Sequence, residues 1–320
     1  ETKPTATTIT TTTTHPSVLN TNGVKIQDII ETCFQNTQTG VFDPDLLTEG
    51  VQVRLDSLYT DLKIAYSSSP YECSTKNLSL LFLALDSAEF MSYTPSRLIV
   101  RYVLAMVYFD LDGISWTRSG YWLSGEHECK WAGVDCNAKN EVTDLYLNGN
   151  KLDGDLPTQI GLIPTLRNIH LSSNRITGKI PTEIGKLAAL ESFMVGGNRM
   201  TGSLPVELFG LTKLQVLDFD GNSFTGNLPK EVGKLSDTLH TLALGNNMFS
   251  QLPTEEIFSL TNLINLDFSG IIADNTGSSG SSSSSLSSLL SPMVGRLSHL
   301  KTLTARGASL SGGIPPSLGL

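Results

Sequence analysis

The sequence predicts an α/β repeat protein: a right-handed solenoid with a parallel sheet on the concave side and short helical turns on the convex side. Three observations predict it. Leu166, Leu190 and Leu214 open copies of one phrase 24 residues apart, and a fixed period of this length is the mark of a solenoid. Each copy carries an apolar-x-apolar triplet, such as Ile169-His-Leu171, which reads as a short strand. Each triplet is followed by an Asn where the chain must turn away.

The first element is a tail, residues 1–22. Its first 14 residues hold nine Thr, ahead of His15-Pro16, and such a tract cannot build a core. Its composition suits either an O-glycosylated, mucin-like stalk or a plain disordered linker. Residues 23–93 read as a small helical region. Ile26, Ile29, Ile30, Cys33 and Phe34 form one amphipathic stripe. Val51, Leu55, Leu58, Leu62 and Ala65 form a second after Asp43-Pro44, and Leu78 to Leu85 is a third apolar run. Residues 94–141 then form a cap. Thr94-Pro95 opens a helix, and Leu98, Tyr102, Ala105, Met106 and Phe109 recur at helical spacing.

About seven repeats occupy residues 142–320. The inward triplet positions start with Leu145 and Leu147, Ile169 and Leu171, and Phe193 and Val195. They continue with Leu217 and Phe219, Leu242 and Leu244, and Leu266 and Phe268. One repeat cannot bury this face alone, so stacking supplies the core. Asn150, Asn174, Asn198, Asn222 and Asn247 are expected to form a ladder that satisfies backbone groups of neighbouring turns. The pattern then departs. Leu214 to Leu239 is 25 residues, and Ile271 and Ala308 stand where Asn belongs. A Ser-rich insertion, placed at 271–297, delays the next copy to Leu300, and low complexity suits a loop there. The chain stops at Leu320 inside a repeat without a polar cap. The expectation is that the natural protein continues or that something covers this end.

The pattern L-x-x-L-x-L-x-x-N-x-L is that of leucine-rich repeats. The segments Gly154-Asp-Leu-Pro157, Gly178-Lys-Ile-Pro181, Gly202-Ser-Leu-Pro205, Gly226-Asn-Leu-Pro229 and Gly312-Gly-Ile-Pro315 resemble the plant-type class, with its L-x-G-x-I-P signature. That resemblance implies a second short sheet on the flank and helical turns such as Thr182-Glu-Ile-Gly185 on the convex side. Cys129-Lys-Trp131-Ala-Gly133-Val134-Asp-Cys136 is similar to the cap signature of plant receptor-like ectodomains. With Arg101, Trp116 and Trp122 it looks most like the caps of leucine-rich repeat proteins from diatoms and related algae. The family pairs the two cap cysteines, so the resemblance implies a Cys129–Cys136 disulfide. Closing a loop of about 8 residues contributes roughly 2–3 kcal/mol. An even cysteine count in an oxidising setting then suggests Cys33–Cys73, against the alternative of two buried free thiols.

Composition narrows the function. With 22 Lys plus Arg against 31 Asp plus Glu, the net charge of −9 speaks against nucleic acid and anionic membranes as partners. No apolar run is long enough to span a bilayer, and the stretch 98–111 is short and carries Arg101 and Asp110. The chain begins at Glu1 without Met, so a cleaved signal or an upstream anchor is compatible with it. The cap disulfide points to the secretory pathway and an extracellular or cell-surface location. Asn77-Leu-Ser79 is an N-glycosylation sequon.

Catalysis finds no support. The five His lack metal-site spacing, and phosphate-loop, nucleophile-elbow and kinase signatures are missing. No catalytic residue, metal or cofactor is therefore assigned. The concave face offers one column of Tyr146, His170, Met194, Asp218, Ala243, Asp267 and Thr304, and beside it a second through Asn148, Ser172, Gly196, Asp220, Gly245, Ser269 and Arg306. Tyr146, His170 and Met194 suit an apolar or aromatic contact, whereas Asp218, Asp220 and Asp267 suit a basic one. Asp218 and Asp220 flank the buried Phe219, so both face outward, and a solvated acidic patch is the plainer reading of them. The sequence thus suggests a non-enzymatic recognition module for protein, peptide or glycan ligands. The alternative is a structural subunit that associates with copies of itself or with other parts of a wall, matrix or surface filament.

Overall fold

The computed structural model describes residues 54–55, 58, 73–85, 93–271 and 292–308. The tail, the first two predicted helices, Cys33, the Ser-rich run and Gly312-Gly-Ile-Pro315 lie outside the described residues, although Arg54, Leu55 and Leu58 are described and helical.

The third apolar run forms helix α1, Thr75–Leu85, which packs on the cap helix α2, Pro95–Asp110. Thr94 starts α2: its Oγ1 accepts the Arg97 N–H at 3.3 Å, and Pro95 fills a first-turn position that has no N–H to satisfy. After α2 the chain lays a string of aromatics across the end of the solenoid. Trp116 lies 4.9 Å from Trp122, and Trp122 lies 5.1 Å from Trp131, centroid to centroid. Each indole N–H finds a carbonyl: Trp116 donates to Leu111, Trp122 to Ala132 and Trp131 to Glu126. That satisfaction lets three large rings be buried without stranding a donor. Cys129 and Cys136 form a disulfide with a Cα–Cα distance of 5.6 Å. Cys73 is also disulfide-bonded.

The cap also buries a charge pair. Arg101 is 0% exposed and Glu128 1% exposed, with Arg101 Nη1 donating to Glu128 Oε1 at 2.5 Å. Arg101 also donates to the carbonyls of Ser124 and Glu126, and Arg97 Nε reaches Glu128 Oε2 at 3.1 Å. Burial pushes the Glu128 carboxyl up, but the charge and hydrogen bond of Arg101, with Arg97, outweigh it and hold the group below the usual carboxylate range.

Strand β1, Val134–Cys136, pairs antiparallel with β2, Val142–Tyr146, and so closes the first edge of the main sheet. The rest of that sheet is parallel: β4 (Asn168–His170), β6 (Ser192–Met194), β8 (Val216–Asp218), β10 (Thr241–Ala243), β12 (Asn265–Asp267) and β13 (Thr302–Thr304). The flank carries β3 (Asp153–Asp155) paired with β5 (Arg175–Thr177). Further along it, β7 (Thr201–Gly202), β9 (Ser223–Asn227) and β11 (Met248–Gln251) form a three-stranded sheet. The convex turns are 3-10 helices, except for the short α3, Thr254–Ile257, in the repeat that lacks the flanking Gly. All the triplet positions from Leu145 to Phe268 are buried.

The irregular spacings never reach the main sheet. Asp218 pairs with Ala243 across the 25-residue repeat, and Asp267 pairs with Thr304 across the 37-residue one. The single extra residue is taken up on the convex side, where Lys230–Leu235 is one residue longer than Val206–Gly210. The sheet is where each residue is bonded on both sides, so an insertion is least costly in the turns. The bounds of the Ser-rich insertion need correction. Pro292–Arg296 is the convex turn of the last described repeat, with Val294 and Leu297 buried, and Ile271 is buried at the other end. The extra residues lie between Ile271 and Pro292, outside the described residues.

The Asn side chains knit successive turns. Asn198 Nδ2 donates to the carbonyls of Leu171, one repeat back, and Val195, while its Oδ1 accepts the Ile176 N–H at 2.9 Å. Asn174, Asn222 and Asn247 repeat this arrangement, and Asn150 bonds both backbone groups of Arg118 in the cap. Asn198→Ala leaves these groups unbonded in the interior. It should lower stability by about 1–3 kcal/mol, read as a lower urea midpoint with an unchanged slope.

Asn77 is corrected as a glycan site. It lies inside α1 and is 1% exposed, and Ser79 is 0% exposed with its hydroxyl bonded to Thr75 O. A glycan on this nitrogen has no room in the folded chain.

Candidate ligand-binding face

The strand register brings the predicted concave residues into one row. Tyr146 pairs with His170, His170 with Met194, Met194 with Asp218, Asp218 with Ala243 and Ala243 with Asp267. All are partly exposed, as their alternation with buried triplet residues requires.

The row has two chemically different halves. At the cap end the Tyr146 and His170 rings meet edge to face at 5.0 Å. His170 Nε2 is 2.8 Å from Ser192 Oγ. Burial lowers the pKa of the imidazole, with Asp144 opposing, which favours the neutral ring. Burial raises the Tyr146 phenol, and the charge of Asp144 and a hydrogen bond to it add to the rise. Asp144 is itself fixed by Thr143 Oγ1 at 2.7 Å and by the Asn168 amide. These groups form a rigid, mostly neutral platform around one carboxylate.

The second half is acidic. Asp218 Oδ1 accepts the Asp220 N–H at 3.1 Å, Asp267 Oδ1 accepts the Ser269 N–H at 2.8 Å, and Asp220 Oδ1 accepts from Asn246 at 2.9 Å. The three carboxylates lie over a floor of small residues. A side chain at Gly196 would meet the Asp218 carboxylate at 2.7 Å, and one at Gly245 would meet Asp220 at 2.6 Å and Asp267 at 3.2 Å. Burial raises the Asp218 carboxyl. The Asp220 N–H pulls it back, and the charges of Asp220 and Asp267 push it further up. Among the described ion pairs none involves these three. Among the described residues no group of three His, Cys, Asp or Glu is arranged to hold a metal.

Sequence reasoning missed a third row, Asp144, Asn168 and Ser192, which supports the aromatic half from beside it. The signal was present: strand alternation carries the outward face back from Tyr146 to Asp144.

A leucine rich repeat family model matches residues 164–224. The fold is a leucine-rich repeat solenoid. The structure of the Arabidopsis receptor kinase HAESA with the peptide hormone IDA and the co-receptor SERK1 is similar, at 25% identity and a TM-score of 0.58, over 71% of this chain and 36% of that one. A second Arabidopsis HAESA structure, the leucine-rich repeat ectodomain with an N-terminally extended IDA peptide, gives 24% identity and a TM-score of 0.55, over 70% and 35%. The PEPR1–AtPEP1 structure gives 24% and 0.50, over 59% and 25%. The chain thus spans only a quarter to just over a third of these proteins. It matches none of the curated proteins. No described helix is long and apolar enough to cross a membrane.

Proposed function

We propose that this chain is a non-enzymatic extracellular recognition module that takes a peptide segment of a protein partner on its concave face. The observation that carries the reading is the row itself, an aromatic couple and three carboxylates that no described ion pair engages, aligned by register on one partly exposed surface. Tyr146, His170 and Met194 receive an apolar or aromatic side chain, and Asp218, Asp220 and Asp267 receive a basic one. A carboxyl whose pKa is raised by burial and by like charges is under-compensated, so an arriving cation relieves it. Three strand steps separate Tyr146 from Asp218, or roughly 14 Å, which an extended peptide covers in about four residues. The similarity to a receptor solved with a peptide hormone supports a peptide partner. The disulfides support an oxidising compartment. The Gly-x-(Leu/Ile)-Pro segments and the strands beside them support the plant-type class.

Selection of a displayed random heptapeptide library on the purified chain tests this. We expect enriched peptides to carry a basic and an aromatic residue about four positions apart, and to be lost on a Tyr146→Ala, His170→Ala, Asp218→Asn triple variant of unchanged melting temperature. Equal enrichment on both proteins contradicts the proposal.

A further inference from the structure

A second site lies on the flank. A cavity of about 410 Å³ opens where the end of α2 meets the first two repeats. That volume falls within the roughly 300–1,000 Å³ of small-ligand sites. Its floor is apolar, since Leu156, Pro157 and Pro181 are buried there. Its walls carry Asp110, Asp155 and Lys179.

Local backbone holds each charged group in place. Gly154 lets β3 pack against the end of α2, because a side chain there would meet the Asp110 carbonyl oxygen at 2.0 Å. Gly178, with φ of +67°, leaves the slot in which the Asp155 carboxylate sits, as any Cβ would lie 2.6 Å from it. Thr177 Oγ1 donates to that carboxylate at 2.5 Å. The stem of Lys179 crosses Gly202, where a Cβ would meet its Cγ at 2.9 Å. Asp155, Lys179 and Ser203, each between the Gly and the Leu or Ile of its segment, thus lie over the glycine of the next one, Gly178, Gly202 and Gly226.

The charges in the cavity do not cancel. Among the described ion pairs none joins Lys179 to Asp110 or Asp155 within 4.0 Å. Burial pushes the Asp110 carboxyl up, the Thr75 hydroxyl pulls it back, and Asp155 adds to the rise. Two carboxylates against one flexible ammonium leave a net negative hollow above an apolar floor. That combination matches a cation on a short methylene stem.

We propose that this cavity binds the head of a basic side chain, arginine or lysine, of a protein partner. The cation sits between Asp110 and Asp155, and its stem lies on Leu156, Pro157 and Pro181. The site is separate from the concave face and stands whether or not that face binds a peptide.

The probe is Nα-acetyl-arginine methylamide, with the citrulline analogue as a neutral isostere, titrated into the ¹⁵N-labelled chain. We expect the arginine probe to shift the amide signals of Gly154 and Gly178 and to bind at least about fivefold tighter than the citrulline probe. D155N should remove most of that preference, and K179Q should strengthen it, because the competing ammonium is gone. Equal binding of the two probes, shifts confined to other residues, or a K179Q variant that binds arginine more weakly overturns the proposal. K179Q removes no contact with the proposed cation, so it decides the matter even if D155N disturbs the fold.

Discussion

Replacing Glu128 with Ala is expected to destabilise the protein by about 3–5 kcal/mol. The change takes the Glu128 carboxylate away from the fully buried Arg101 guanidinium, and removes the ion pair of Arg97 with it as well. The double replacement Arg101→Met, Glu128→Leu should cost far less than the single one, because apolar groups of similar volume need no pairing. Chemical denaturation of the single and double variants measures the difference. A single variant within about 1 kcal/mol of the parent contradicts the assignment. The pH dependence follows in sign. The folded-state pKa of Glu128 lies below its ordinary value of 4.5, so its contribution is complete above that value and disappears as pH falls through the folded one. The parent should lose more stability than the double variant below pH 4.5.

The second large effect belongs to Phe219. Its ring is fully buried, 6.2 Å from Phe193 and 5.8 Å from Phe224, and Phe224 stacks on Phe249 at 6.4 Å. The spine joins successive repeats, and it links the concave triplets to the flanking strands. Phe219→Ala removes that link and opens a cavity that neighbours in three repeats cannot fill, at a cost of about 3–5 kcal/mol. In a solenoid each repeat is stabilised only by its neighbours. The loss should therefore appear first as faster amide exchange in β8, β9 and β10, with the cap helix unaffected. Uniform acceleration over the whole chain, or a loss below about 1 kcal/mol, contradicts it.

What the sequence could and could not reveal follows from the range of each interaction. The triplets and the concave row are legible because a periodic pattern fixes strand, turn and facing direction at once, and the register then aligns Tyr146 with His170 and Asp218 with Ala243. Insertions did not obscure this, since they leave the main-sheet register intact. The Arg101–Glu128 pair was not legible: 27 residues separate its members, and an Arg inside an apolar helix looks like a solvated edge until Glu128 is folded onto it. Asn77 failed for a related reason, because a three-residue motif carries no information about burial. The flank cavity depends on glycines that hold side chains from the preceding repeat, a relation that a repeat pattern read one copy at a time does not display.

On the proposed function, the acidic half of the concave row receives a basic side chain. A double-mutant cycle tests it most directly. It pairs Asp218→Asn with a Lys or Arg to norleucine change in a peptide selected on the chain, both measured by titration calorimetry. We expect a coupling energy of about 1.5 kcal/mol or more between the two positions. Strictly additive losses, with the peptide's basic residue indifferent to Asp218, would mean that the acidic half does not receive it.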